Sequence, residues 1–342
     1  MADRRPARWM RNAEATLLME SFLIAAVVSF LAIRAFLALT GYPRLGANGI
    51  HVAHMLWGGL LMLAALLLLL AYLDRSVAHL AAVIAGLGFG TFVDELGKFV
   101  TADNDYFFRP AIAGIYVLFV ATFLAARTLI GQRRLRPNEA LANALARLAG
   151  TLDRPIEPSD RARIRRLLRQ ADPDSELAQV LGRYVAEQPG TPETTTPIER
   201  IRRRLGDAYV AVMENAWSER ALVVGVIAYA GAAVVGVFLV AATAPVSGAP
   251  DTSAAATVAQ VVSTLAGAVL VARGILSLHG SRADAYRWFM RGLLVWVLVT
   301  QVFVFYSSQL AGLGGLAIDL VAYGSLRFAL ARELEEVPAR PG

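Results

Sequence analysis

Apolar stretches of about 20 residues recur along the chain at about 19–40, 50–73, 78–99, 110–130, 221–242, 254–278, 287–307 and 311–331. Each is long enough to cross a hydrocarbon core as an α-helix. The pattern predicts an all-α polytopic membrane protein with about eight transmembrane helices. The fourth and fifth stretches are separated by a polar segment, 131–220. Within it Pro137, Pro155, Pro158, Pro173 and Pro197 divide a series of helical patterns. Ser159-Asp160 and Asp174-Ser175 are placed to cap two helices, and Pro197 to open a longer one reaching Trp217. Residues 188–196, QPGTPETTT, read as a flexible linker. The expected organisation is a cytoplasmic leader (1–18), a first four-helix membrane repeat carrying the polar site (19–130) and an inserted cytoplasmic helical domain (131–220). A second four-helix membrane repeat (221–332) and a cytoplasmic tail (333–342) follow.

Composition agrees: the chain is 56% hydrophobic, with mean hydropathy +0.52. The first apolar run is too long for a signal h-region, so it reads as an uncleaved helix. The absence of cysteine excludes disulfides, thiol catalysis, iron–sulfur clusters and thiolate zinc sites. The net charge of +6 does not require nucleic acid as a partner, and none is expected. Arginine collects on the cytoplasmic side of membrane proteins. Arg4, Arg5, Arg8 and Arg11 precede the first run, Arg75 lies between the second and third, and Arg133, Arg134 and Arg136 follow the fourth. Arg282 and Arg287 lie between the sixth and seventh, and Arg332 follows the eighth. All share one side if both termini are cytoplasmic. The expected setting is the plasma membrane, with lipids as partners and a cytoplasmic protein partner for 131–220.

Offset by about 206 residues, the two halves align. His54 falls on Gln260, Asp94 falls on Gln301 one residue further in offset, and FLAAR at 123–127 lies over FALAR at 328–332. Four spans per half give both halves the same orientation, so the expectation is a 4+4 parallel repeat. The first half carries ionisable residues where the second carries amides.

The chemistry collects in that first half. Asp94, Glu95 and Lys98, the chain's single lysine, lie in the last turns of the third run. Charged groups within a bilayer are costly unless paired or facing water, which makes them functional candidates. His51 and His54 share one helical face at i, i+3 and can both ligate one metal. Asp94 or Glu95, with Asp103 and Asp105 from the loop DNDYFFRP, would complete a site for zinc, manganese or iron. Asp94 and Lys98 at i, i+4 are also placed for a plain intrahelical ion pair, and the histidines for headgroup hydrogen bonds. Asp94, Glu95 and Lys98 are the catalytic candidates; Arg34, Arg109 and Tyr106 are the substrate-binding ones. Arg34 is besides the expected ion-pair partner of Asp94 or Glu95. Gly86 and Gly90 form a GxxxG suited to close helix contact. Asp319, in the eighth run, reads as part of an ion path or as a partner for Arg327.

The motifs HxxHMLWGG and FxDExGKFxTxDNDYFFxP resemble those of an uncharacterised family of bacterial, mainly actinobacterial, polytopic membrane proteins. The resemblance covers roughly residues 48–130 and implies a site at these residues, without supplying a reaction. The leading expectation is a metal-dependent hydrolase or transferase acting at the outer leaflet on a lipid or lipid-linked substrate, with Asp94 or Glu95 as general base. The alternatives are an ion- or proton-coupled transporter or channel, and a membrane interaction or scaffold protein.

Overall fold

The computed structural model describes residues 9–40, 54–99, 109–130, 134–152, 155–188, 197–213, 215–243 and 252–336. Among these residues every regular element is helical. Four long helices come first: α1 (Ala15–Thr40), α2 (His54–Ala71), α3 (Arg75–Phe99) and α4 (Arg109–Ile130). Three shorter ones follow: α5 (Pro137–Ala149), α6 (Pro158–Leu168) and α7 (Glu176–Glu187). Then come α8 (Pro197–Met213), α9 (Ala216–Thr243), α10 (Thr252–Ser277), α11 (Arg282–Val295), α12 (Gln301–Ser308) and α13 (Leu313–Glu336).

Among the described residues, seven segments are long and apolar enough to cross a membrane, the last of them the interrupted stretch Arg282–Leu334. Their exposed surfaces are apolar. On α2, Leu60, Leu66, Leu67, Leu69 and Leu70 all stand half or more exposed. Water would penalise such a surface and lipid does not, so the chain is an all-helical polytopic membrane protein.

The chain forms two compact units, the first comprising 1–106 and 121–195, the second 107–120 and 196–342. The division runs through α4. It also runs through the polar segment, placing α5–α7 with the first unit and α8 with the second.

In the first unit, α3 packs between α1 and α2, and its glycines explain how. A Cβ at Gly86 or Gly90 would collide with the backbone carbonyls of Phe22 and Ala26 on α1. A Cβ at Gly88 would sit 2.7 Å from the Gly58 carbonyl oxygen on α2. Residues four apart share a face and residues two apart do not. Alternating glycines thus let α3 approach two helices at once, and the expected GxxxG contact is made with α1. Ser29 Oγ ties α1 to α3 again, at 3.0 Å from the Leu87 carbonyl oxygen.

At the other end of this unit, the segment before α1 is fastened to α5 and α6. Glu14 accepts from Arg147 (2.7 Å) and Arg163 (3.2 Å) and pairs with Arg75 and His79. Arg11 meets Glu139 at 2.9 Å, and Glu139 also accepts from the Arg136 backbone N–H, capping α5. Ala144, Ile164 and Val185 form the small core of α5–α7.

Ser175 caps α7 as expected, its Oγ accepting from the Ala178 N–H at 3.4 Å. Two other capping expectations are corrected. The N-cap of α6 is Glu157, with Pro158 leading the helix, because Asp160 spends its carboxylate on Arg147 at 2.6 Å. The helix opened by Pro197 stops at Met213, not Trp217. Asn215 Oδ1 accepts from the Trp217 N–H at 3.1 Å and starts α9 afresh.

In the second unit α10 and α11 cross closely, a Cβ at Gly292 falling 2.9 Å from the Gly267 carbonyl oxygen. Tyr286, Phe289 and Leu293 of α11, with Trp296 just beyond it, pack with Val226 and Ala230 of α9 and Leu326 and Ala329 of α13. Between α11 and α12 lies one π-helical turn, Trp296–Thr300. After Ser308 the chain breaks: Gln309 takes φ 48°, and a 3₁₀ turn spans Gln309–Gly312. Gln301 Nε2 donates to the Gly312 carbonyl oxygen at 2.8 Å across this break. Since residues near 301 meet residues near 312, while 285–293 pack with 326–329, α13 runs back along α11.

Candidate functional site

Asp94 and Glu95 sit on successive positions of α3, about 100° apart around the helix, so they face different neighbours. Asp94 faces α1. Arg34 Nε donates to Asp94 Oδ1 at 2.5 Å, and Arg34 Nη2 to the Asp94 carbonyl oxygen at 3.2 Å. Glu95 faces α2, where its Oε2 accepts from the Met55 N–H at 2.9 Å and lies 4.0 Å from His54 Nδ1. Both acids have no exposed surface, and Arg34 has 5%. The guanidinium also lies over the Phe30 ring, 5.6 Å from its centroid.

Arg34 is thus the partner of Asp94 and not of Glu95, and Asp94 forms an interhelical pair. Among the described residues, two buried atoms here have no hydrogen-bond partner, Asp94 Oδ2 and His54 Nδ1. Together with Glu95 they are atoms of the kind that bind a proton or a cation. Among the described residues, no three His, Asp or Glu side chains converge on a metal-ion geometry. His51, Asp103, Asp105 and Tyr106 lie outside the described residues, as do the side chains of Lys98 and Arg109.

The second unit holds a different polar site, a cavity of about 400 Å³ between α9, α10, α12 and α13. Asp319, 1% exposed, lines it. Its hydrogen-bond partner is the Tyr229 hydroxyl; of the two readings of the sequence, an ion path or a pair with Arg327, the pair is not formed among the described residues. Among the described residues, the other oxygen, Oδ1, has no partner, and neither does the buried Thr300 hydroxyl at the end of the π-turn. Gln260 and Gln301 line the same cavity. The sequence marked these two only as counterparts of His54 and Asp94. Tyr229 and Thr300 carried no signal, because a hydroxyl in an apolar run resembles any other tolerated polar residue.

A third polar cleft, of about 220 Å³, surrounds Glu14 with Arg75, His79, Arg147, Asp160 and Arg163. Its groups are mutually paired, which suits a structural clasp. No protein-family model, no curated protein and no solved structure matches the chain.

Proposed function

We propose that the protein is an ion- or proton-coupled membrane transporter or channel. The observation that carries this reading is Asp319, a fully buried carboxylate with an unpartnered oxygen, on the wall of a polar cavity within apolar helices. Intramembrane acids are costly and mark ion or proton pathways. Asp94, Glu95 and His54 in the first unit support the same chemistry. A proton reaches a buried carboxylate through a chain of polar groups, whereas an ester substrate must touch its general base.

The proposal includes eight crossings in a 4+4 parallel arrangement. The break at Gln309 and the return of α13 along α11 support a hairpin within Arg282–Leu334. The repeat is supported by polar clusters at matched positions: His54 and Asp94 near one another in the first unit, Gln260 and Gln301 on one cavity in the second. Both termini are cytoplasmic in this reading, in the plasma membrane, by the distribution of arginine. The clasp joining Glu14, Arg75 and Arg147 supports placing the leader, the α2–α3 turn and α5 on one side. The Asp94–Glu95 cluster then belongs to the outer leaflet, and 131–220 to the cytoplasmic face, where a protein partner would dock.

A second reading, a metal-dependent hydrolase or transferase on a lipid or lipid-linked substrate, is favoured by the unpartnered His54 Nδ1 beside Glu95. His51, Asp103 and Asp105 would complete a zinc, manganese or iron site, with Lys98, Arg109 and Tyr106 holding an anionic group. Reconstitution separates the two. Purified protein in vesicles loaded with a pH-sensitive dye should dissipate an imposed proton gradient, and Asp319→Asn should slow it. Flux no faster than in protein-free vesicles rejects the transporter. One bound transition metal per chain, lost in a His51→Ala/His54→Ala double variant, then selects the enzyme.

A further inference from the structure

The cavity of the second unit is too large for a bare ion. One water needs only about 10–15 Å³ on a comparable measure, while small-molecule pockets run from about 300 to 1,000 Å³. At about 400 Å³ this one falls in the small-molecule range.

Its chemistry is unbalanced in one direction. Among the described residues, Asp319 is the single carboxylate on its wall, and no lysine, arginine or histidine accompanies it. Several of its donors are already engaged. Trp296 Nε1 donates to the Thr264 carbonyl oxygen at 3.1 Å, and Gln301 Nε2 to the Gly312 carbonyl oxygen at 2.8 Å. The Tyr229 hydroxyl bonds to Asp319. Asp319 Oδ1 and the Thr300 hydroxyl, which can accept, have no partner among the described residues. With its N–H spent, Trp296 offers the cavity its π-system, held edge-on to Tyr229 at 5.5 Å. A carboxylate with an open oxygen, a hydroxyl able to accept and an indole form a site for a cation that donates hydrogen bonds and carries an apolar body.

We infer that this cavity binds a small organic cation, a protonated amine whose ammonium group pairs with Asp319 and whose apolar part lies against Trp296. The inference rests on the transporter reading above and names its substrate class. Thr300 enters the site through the π-turn, which rotates the following residues relative to a regular helix and so sets α12 against the cavity.

The test uses full-length protein in detergent, thermal unfolding, and three probes: benzylammonium, neutral benzyl alcohol and sodium chloride. Benzylammonium should raise the Tm saturably, and benzyl alcohol and sodium should not. Asp319→Asn, which keeps shape and removes charge, should weaken benzylammonium binding at least tenfold. Gly236 lines the cavity and a Cβ there meets nothing within 4 Å. Gly236→Val should therefore fold normally and also weaken binding, and it keeps the test valid should Asp319→Asn fail to fold. Equal stabilisation by benzyl alcohol, a response to sodium alone, or undiminished binding in either variant would overturn the inference. Proton flux in vesicles without amine binding would reject the amine and leave the transporter standing. Amine binding without flux would do the reverse.

Discussion

Replacing Arg34 with methionine strands Asp94 in the contact between α1 and α3. Arg34 is 5% exposed and Asp94 0%, so water cannot take the guanidinium's place without separating the helices. Truncating one partner of a buried pair typically costs about 3–5 kcal/mol. The stranded acid has one escape, which is to take up a proton. For a carboxyl group with a solution pKa near 3.9, neutralisation costs about 4 kcal/mol at pH 7 and about 1.5 kcal/mol at pH 5. That sets the ceiling. Arg34→Met should therefore lose about 3–4 kcal/mol at pH 7 and less than half of that at pH 5. Asp94→Asn alone strands an arginine that cannot give up its proton, so its loss should not shrink on acidification. The double variant should recover most of the single-variant loss at pH 7. Unfolding in mixed micelles, titrated with a denaturing detergent and followed by tryptophan fluorescence, measures all three. A loss that is independent of pH in Arg34→Met, or additive losses in the double variant, would refute the reasoning.

Other parts of the architecture make separate predictions. Gly90→Ala drives a methyl group into the Ala26 carbonyl, and overpacking of this kind costs about 1–3 kcal/mol. Gly59→Ala, where nothing lies within 4 Å, should be close to neutral in the same unfolding assay. Glu95→Ala leaves the Met55 N–H without its acceptor, so hydrogen exchange at the start of α2 should quicken while Arg34→Met keeps its pH dependence. Hydrogen bonds from the Arg11 and Arg136 side chains and the Arg136 N–H hold the Glu139 carboxyl well below the usual glutamate range. A carboxyl with a depressed folded pKa stabilises fully above its ordinary value of 4.5 and loses that contribution as pH falls below it. Protection of α5 against proteolysis should accordingly fall on acidification below that value. In Glu139→Gln it should already be weak at neutral pH and change little further.

The long elements were legible because lipid removes ambiguity: a run of about 20 apolar residues has essentially one stable conformation in a bilayer. The partnership of Arg34 with Asp94 was legible for the same reason, since few groups at that depth are able to satisfy an acid. Which acid it took depends on the rotation of α3, and that is set by the contacts of Gly86 and Gly90 with α1. Polar helices gave weaker signals. Asp160 has the residue type of a cap, but Arg147 from another helix outbids the local backbone for it. The stop at Met213 depends on Asn215 turning back to cap the next helix, a choice that an uninterrupted pattern of helix formers does not disclose. The cavity around Asp319 was least legible, because Tyr229, Thr300 and Gln301 come together only through the π-turn and the break at Gln309.

The most direct test of the central claim is charge movement. Protein-containing membranes adsorbed on a capacitive support should give a transient current when the bathing pH is stepped, as buried carboxylates exchange protons with the solution. The current should be strongly reduced in Asp319→Asn, and Gly59→Ala should leave it unchanged. A current of equal size in wild type and Asp319→Asn, or none above that of protein-free membranes, would contradict the account.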